Sequence, residues 1–324
     1  MALRPVFRTV ALSEIDLDDH AFVVTYRPPL QELERSVARA GVLTPVHLRA
    51  FPGKAQLQVV CGYKRLLACQ QTGRQQVPAL VHQALSEEEA LWLAVHDNLG
   101  TRAFNAVEKG RILRRLRDAF GYSPGRLAEE VCPLLTLPPR RDTVEAYCTL
   151  AALEEPLPAA VVEGALPLEA ALWIGRHQGA DREALLALFT GLKLSSSRAR
   201  ELATFIDEIC RRERCSAAAL LQRLGVTAVL AEAGLDGPQK LERVRRLLYE
   251  ARYPQLSAHE QRFREALRRL RLPPQVSLRP PPYFEGQQYQ VSFPFGTRQE
   301  LARIAERLQA AAADAALDEL LALL

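Results

Sequence analysis

The sequence predicts an α+β protein in three parts: a small mixed-sheet domain over residues 1–106, an all-α middle over 107–255 and a small ββα unit over 256–324. Three observations predict it. Up to residue 106, short apolar runs suited to strands alternate with longer runs of helical spacing. From residue 107 to 253 the Ala-, Leu- and Arg-rich chain keeps helical spacing, broken at Gly121, Pro133, Pro138, Pro139, Pro156, Pro158 and Pro167. Beyond Leu272-Pro-Pro274 strict alternation returns, with Tyr289, Val291, Phe293 and Phe295 set against Gln288, Gln290 and Ser292.

Each element has its own signal. Residues 9–15 form a strand; residues 30–40 form a helix on Leu30, Leu33 and Val37, closed by Gly41. Strands follow at 46–48 and 57–60, the second ending at Cys61-Gly62. Residues 63–71 form a helix that stops near Gly73, and 77–81 return to strand. Ser86 followed by Glu87, Glu88 and Glu89 is a capped, acidic helix start, and that helix runs to about Asp97. In the tail, 276–278 is a strand and 280–286 a turn. Thr297 and Glu300 form a capping box for one final helix. Its stripe of Leu301, Ile304, Leu308, Leu317, Leu320, Leu321 and Leu324 exceeds what so small a unit can bury, so either the rest of the chain or a second copy must cover it, and a second copy is favoured.

Net charge is +4, too mild to name a partner by itself. Its distribution says more. Lys109, Arg111, Arg114 and Arg115 form one basic run, and Arg264, Arg268, Arg269 and Arg271 another. A solvated helix face explains either alone; two runs flanking a helical middle point to phosphate contacts. No stretch approaches the ~20 apolar residues of a membrane span, and residues 1–10 lack the apolar core of a signal peptide. The expectation is a cytoplasmic protein with no membrane partner. Its six scattered cysteines are expected as free thiols, and Cys210 with Cys215 lack a second pair to hold zinc.

Three stretches carry chemistry: Gly41-Val-Leu-Thr-Pro-Val46, Val60-Cys-Gly-Tyr-Lys-Arg-Leu-Leu-Ala68, and Trp92-Leu-Ala-Val-His-Asp-Asn-Leu99 followed by Asn105-Ala-Val-Glu108. At Gly62 a strand ends and a helix begins at once, so free amides form an anion site. Lys64 and Arg65 lie in that first turn against the helix dipole, a conflict that a bound phosphate resolves and that water also satisfies. Asp97, at a helix C-terminus, also opposes the dipole. It suits either a hard cation such as Mg2+ or a solvated or salt-bridged helix end.

In combination and in this order, the stretches resemble the ParB family. The likeness continues through Tyr122-Ser-Pro-Gly-Arg-Leu-Ala-Glu-Glu-Val131, similar to the first helix of its helix-turn-helix, and Asp142-Thr-Val-Glu-Ala-Tyr-Cys-Thr-Leu150, similar to its recognition helix. The strand-turn-strand-helix tail resembles the family's dimerisation domain, and residues 180–272 match most loosely. The resemblance implies a ParB/sulfiredoxin-like N-terminal domain acting as a CTP-dependent switch on a DNA clamp. Carried over by position, Thr44, Gly62, Tyr63, Lys64, Arg65 and Asn98 bind nucleotide, Asp97 holds Mg2+, and Arg140, Arg141 and Thr143 contact DNA. It implies duplex DNA, a second copy and a partitioning ATPase as partners, and a nucleoid-associated location.

The departures from the family pattern matter equally. Tyr63 replaces the glutamate tied to hydrolysis, Lys64 the first arginine, Thr44 the glutamine before Pro45, Gly100-Thr101 a Gln-Arg pair and Ala106 a proline. No catalytic residue is therefore nominated, and hydrolysis is at most weak. The segment 132–139 between the two DNA-reading helices is longer than a tight turn, and Asp142 and Glu145 bring acids to the recognition helix. Two other readings stand beside a DNA-partitioning switch. One is a nucleotide-responsive adaptor without specific DNA binding. The other is an enzyme, nuclease or sulfiredoxin-like, the latter with Cys61 activated by Lys64 and Arg65.

Overall fold

The computed structural model describes residues 4–51 and 53–324. The first residues of the N-terminal stretch, 1–3, lie outside it. The chain divides into two compact units: one up to Arg182 with Lys193–Ser196, the other Glu183–Leu192 with Ser197–Leu324. This differs from the three parts expected with limits at 106 and 255. Across residue 106 the core is shared, whereas residues beyond 255 gather their own cluster around Phe263, Phe284 and Leu320. Leu91 and Val95, from the mixed-sheet region, pack in one cluster with Ile112, Leu113, Leu116, Val131 and Val144 of the helices that follow.

The first unit is built on a five-stranded mixed sheet, order β1-β5-β3-β4-β2. Its strands are β1 (Val6–Ala11), β2 (Ile15–Asp16), β3 (Val46–Arg49), β4 (Leu57–Cys61) and β5 (Gln76–His82). Strand β1 is antiparallel and β3 parallel to β5, while β4 runs antiparallel to β3 and parallel to β2. The single strand expected over 9–15 is instead two strands at opposite edges. Between them Leu12–Glu14 turns, held by the Ala11 N–H donating to Glu14 Oε1 at 3.0 Å. Strand β4 is buried along its whole length, as a strand covered on both faces must be. Val59 joins the cluster of α1 (Gln31–Ala40) and α2 (Tyr63–Gln71), whereas Val60 and Cys61 join that of α3 (Glu87–Leu99).

Between β2 and α1, residues 17–30 form neither helix nor strand. This strap is nevertheless alternating: Phe22, Val24 and Tyr26 are buried, Val23 and Thr25 half-buried. It lies against α4 (Ala106–Phe120), which opens with an Asn105/Glu108 capping box. Then come α5 (Pro124–Arg126), widened into a π turn over Leu127–Val131, and α6 (Arg141–Leu150), α7 (Leu157–Val162) and α8 (Leu168–Ile174). The intervening loop is not slack: Leu135 and Leu137 are buried, and Lys109 Nζ donates to Thr136 Oγ1 at 3.1 Å.

Helix α9 (Gly179–Leu192) spans the unit boundary. The second unit continues with α10 (Ser196–Glu213), α11 (Ala217–Arg223), α12 (Val226–Ala231), α13 (Gly237–Arg252) and α14 (Pro254–Leu270). A two-stranded antiparallel sheet, β6 (Ser277–Arg279) and β7 (Gln290–Ser292), precedes α15 (Arg298–Ala312) and α16 (Ala315–Leu321). The strand expected over 289–295 is thus only three residues long, and Tyr289 instead stacks on Phe263 and donates to Leu320 O at 2.7 Å. The one final helix is two. The first closes at Ala313, and Asp314 caps the second by accepting from the Ala316 N–H, a role short polar side chains favour. The break divides the apolar stripe: Ile304 and Leu320 are buried, while Leu301, Leu321 and Leu324 are exposed. Among the described residues no helix is long and apolar enough to cross a membrane.

Helices α4 and α6 cross closest at Gly110, where a Cβ would lie 2.1 Å from Tyr147 O and 2.9 Å from Ala151 Cβ. Gly to Ala ordinarily stabilises a helix interior by about 1 kcal/mol. Here the sign reverses, and Gly110→Ala is expected to destabilise the chain by about 3 kcal/mol. The check is the denaturant midpoint against wild type; an unchanged or raised midpoint contradicts the close crossing.

Candidate polyphosphate site and helix-turn-helix

A cavity of about 330 Å3 opens where β4 gives way to α2. Thr44, Gly62, Tyr63, Lys64, Arg65, Asp97 and Asn98 all line it, joined by strap residues 22–25 and by Thr101 and Arg102. Gly62 makes the junction possible. Its φ is +92°, and a Cβ would meet Val46 Cγ1 at 2.7 Å, so both conformation and space demand glycine. Beyond it the Tyr63 and Lys64 N–H groups lead α2, whereas the Arg65 N–H already donates to Gly62 O at 2.8 Å.

Arg65 ties three elements together. Its Nη1 donates to Thr44 O at 2.6 Å and Pro45 O at 2.8 Å, and its Nη2 lies 3.8 Å from Asp97 Oδ2. That leaves Nε and Nη2 for a phosphate. Asn98 is also engaged: Nδ2 donates to Ala94 O at 2.8 Å, and Oδ1 accepts from Arg102 Nε at 2.9 Å. Arg102 goes on to Glu108 Oε2 at 2.6 Å and Thr25 Oγ1 at 3.4 Å. The nominated residues omit Arg102 and Thr101, although Arg102 stands one position from the arginine of the family pattern. Lys64 has no carboxylate partner among the described residues, and burial followed by the Arg102 charge lowers its pKa. Three cations with one lining carboxylate, Asp97, thus surround a helix N-terminus.

Tyr63 is held by its hydroxyl, 2.8 Å from His20 Nε2, and burial and then Asp18 raise its pKa. At neutral pH it is a phenol, unable to serve as the anion a glutamate supplies. Cys61 does not meet the requirements of a reactive thiol. It is 2% exposed, and burial, with Asp97 adding, pushes its pKa up to about 12. The electropositive, exposed niche expected from Lys64 and Arg65 is therefore absent at this sulfur. No cluster of three His, Cys, Asp or Glu suited to a metal occurs among the described residues. A single carboxylate still fits Mg2+ brought by a polyphosphate, since that ion keeps waters and takes its other oxygens from the phosphates.

The nominated DNA contacts sit at the start of α6. Arg140 precedes the helix and Arg141 opens it, both exposed, whereas Thr143 is half-buried. Arg140 Nη2 donates to Asp142 Oδ2 at 2.6 Å, and Asp142 Oδ1 accepts from the Thr143 N–H at 2.8 Å. The nucleotide-site nominees thus meet in one cavity, while the DNA nominees are partly spent on a neighbouring acid.

A mixed sheet bearing a cationic cavity at a helix start, continuous in its core with helices α4, α5 and α6, defines an α+β class of protein with a site suited to an anion. The ParB N-terminal domain family model matches residues 7–99. A probable plasmid-partitioning protein ParB of Thermus thermophilus is 30% identical over 257 residues, 68% of this chain and 82% of that protein. The chain belongs to the ParB family. A probable chromosome-partitioning protein ParB of Neisseria meningitidis is 31% identical over 119 residues, and the chain covers 38% of its length. A solved structure of C-terminally truncated ParB from Caulobacter crescentus, complexed with CTP-gamma-S, matches at 23% identity and a TM-score of 0.28, covering 57% of this chain and 98% of that one.

Gly62→Ala combines a left-handed backbone with an overlap on Val46. It is expected to cost about 3 kcal/mol, read as a lowered unfolding midpoint. Wild-type stability in this variant contradicts the strained junction.

Proposed function

We propose that this chain is a partitioning-type DNA-binding protein whose first unit takes a nucleoside triphosphate with Mg2+, CTP first, as the switch. The observation that carries it is the meeting of Thr44, Gly62, Tyr63, Lys64, Arg65, Asp97 and Asn98 around one cavity. The α2 amides, Lys64 and Arg65 hold the phosphates. Asp97 would hold the metal ion, which would supply charge neutralisation to the phosphates. Asn98 and Arg102 are the elements that respond, because a phosphate that draws on either must compete with their present bonds to Ala94, Glu108 and Thr25. With Tyr63 in place of an acid, turnover is slow. Duplex DNA, a second copy of the chain and a partitioning ATPase are the partners this reading implies, in a nucleoid-associated setting. A second reading, a nucleotide-responsive adaptor without specific DNA binding, is favoured by the Arg140–Asp142 pair and by Glu145 exposed on α6.

Calorimetry with CTP, ATP and GTP tests the switch. Heat is expected with CTP and Mg2+, with Arg65→Ala weakening it by at least about tenfold, or 1.4 kcal/mol. No heat with any of the three at millimolar ligand sinks the reading. Proton linkage gives a second test. Lys64 titrates below the ordinary lysine range, and a bound polyanion raises its pKa. Binding should therefore take up protons on the alkaline side of neutrality. Affinity should be full below the free-protein pKa of Lys64 and fall as pH rises through that of the complex. The measurement is binding heat in buffers of different ionisation enthalpy.

For the dimer, Val291, Phe295, Leu301, Leu321 and Leu324 are exposed in residues 256–324, and removing such area from water is the driving force. Phe295→Asp with Leu321→Asp is expected to shift the light-scattering mass from dimer to monomer. An unchanged dimer places the interface elsewhere.

A further inference from the structure

The strap has a second side. Behind it lies a cavity of about 570 Å3, a volume usual for small-molecule sites, floored by Leu91 and flanked by Arg111 and Arg115 of α4. We propose that this cavity is a second anion site, separate from that at Gly62, which takes a phosphate group carried by a small molecule.

Charge is the first support. No Asp or Glu lines the cavity, while Arg27, Arg111 and Arg115 do. Arg27 is neutralised from outside, by Glu155 at 3.3 Å and Glu163 at 3.7 Å. Arg111 and Arg115 have no carboxylate partner among the described residues. They stand four apart on one helix, the spacing at which like charges repel. An anion between them removes the repulsion.

Hydrogen bonding is the second support, and it is independent of the first. Arg111 uses Nη1 on Thr25 O at 2.8 Å and lies over the Tyr26 ring at 5.0 Å, so its position is set by the strap. Arg115 Nε is buried and has no acceptor. A buried donor without a partner is rare in folded proteins, and a bound oxygen ligand is one of its ordinary explanations. A tetrahedral phosphate offers oxygens to a guanidinium fork in the geometry that arginine suits better than lysine.

The two cavities share a wall. Val23, Val24, Thr25 and Tyr63 line both, and His20, bonded to the Tyr63 hydroxyl, lines the second. Ligands on the two sides of so thin a partition are distinguishable only if both are present at once.

Inorganic phosphate is therefore titrated by calorimetry into the full chain, alone and with CTP at millimolar concentration. Phosphate is expected to bind in both cases and in Arg65→Ala. Arg115→Gln is expected to weaken it by at least about tenfold, the effect of losing one charged hydrogen-bonding partner. Arg115→Lys, which keeps the charge and loses the fork, should recover only part of that, and its circular dichroism controls for folding. Three results overturn the proposal: no phosphate heat with wild type, equal affinity in Arg115→Gln, or displacement by CTP together with loss in Arg65→Ala. The last assigns the phosphate to the Gly62 cavity and leaves the nucleotide reading intact. Displacement by a short DNA duplex also overturns it, by moving the arginines into a nucleic-acid interface.

Discussion

The first unit turns on one buried carboxylate. Glu108 is 1% exposed, yet it accepts from Arg102 Nη1, from the Asn105 N–H and from the Tyr26 N–H. Those three donors belong to the segment after α3, to the cap of α4 and to the strap. Removing one partner of a buried charged pair typically costs ~3–5 kcal/mol, because the other is left uncompensated. The strap has no sheet to pair with, so side chains of Asn105, Glu108 and Arg111 take the place of a ladder for its backbone. The walls of both cavities and the start of α4 therefore depend on the same carboxylate.

The cavity at Gly62 is a balanced conflict. A helix N-terminus repels Lys64 and Arg65, and burial adds to the cost at Lys64. Arg65 escapes part of it by turning to the Thr44 and Pro45 carbonyls and towards Asp97. Lys64 has no such exit. A site in which one cation is satisfied internally and the next is not has its position fixed by the first and its demand for an anion set by the second.

Local chemistry was legible in the sequence; long-range packing was not. Helix α2 runs over 63–71 as expected because Gly62 and Gly73 punctuate it and neither signal needs the rest of the fold. The cap at Ser86 is equally local; at Thr297 the hydroxyl accepts from the Glu300 N–H as expected, but the Glu300 carboxylate turns to the Gly296 N–H, so the box is half formed. The crossing of the chain from β1 to β2 depends on which sheet edge is free, and no periodicity encodes that. One core runs across residue 106 because Leu91 and Ile112 pack together, and a sequence pattern cannot tell that each is apolar for the other. The leucines on either side of Asp314 suggested one stripe, because the break there is set by a side-chain cap rather than by apolar spacing. Arg102 was visible but unassigned, since its place beside Asn98 and Glu108 needs the turn at 100–105.

The crossing at Gly110 has a mechanical consequence. With Tyr147 O where a methyl group would sit, the two helices are keyed like a notch and a tooth, and neither can slide along the other. Glu108, held by Arg102 and the Tyr26 N–H, lies two residues before Gly110, so the crossing and the strap are fastened to the same first turns of α4.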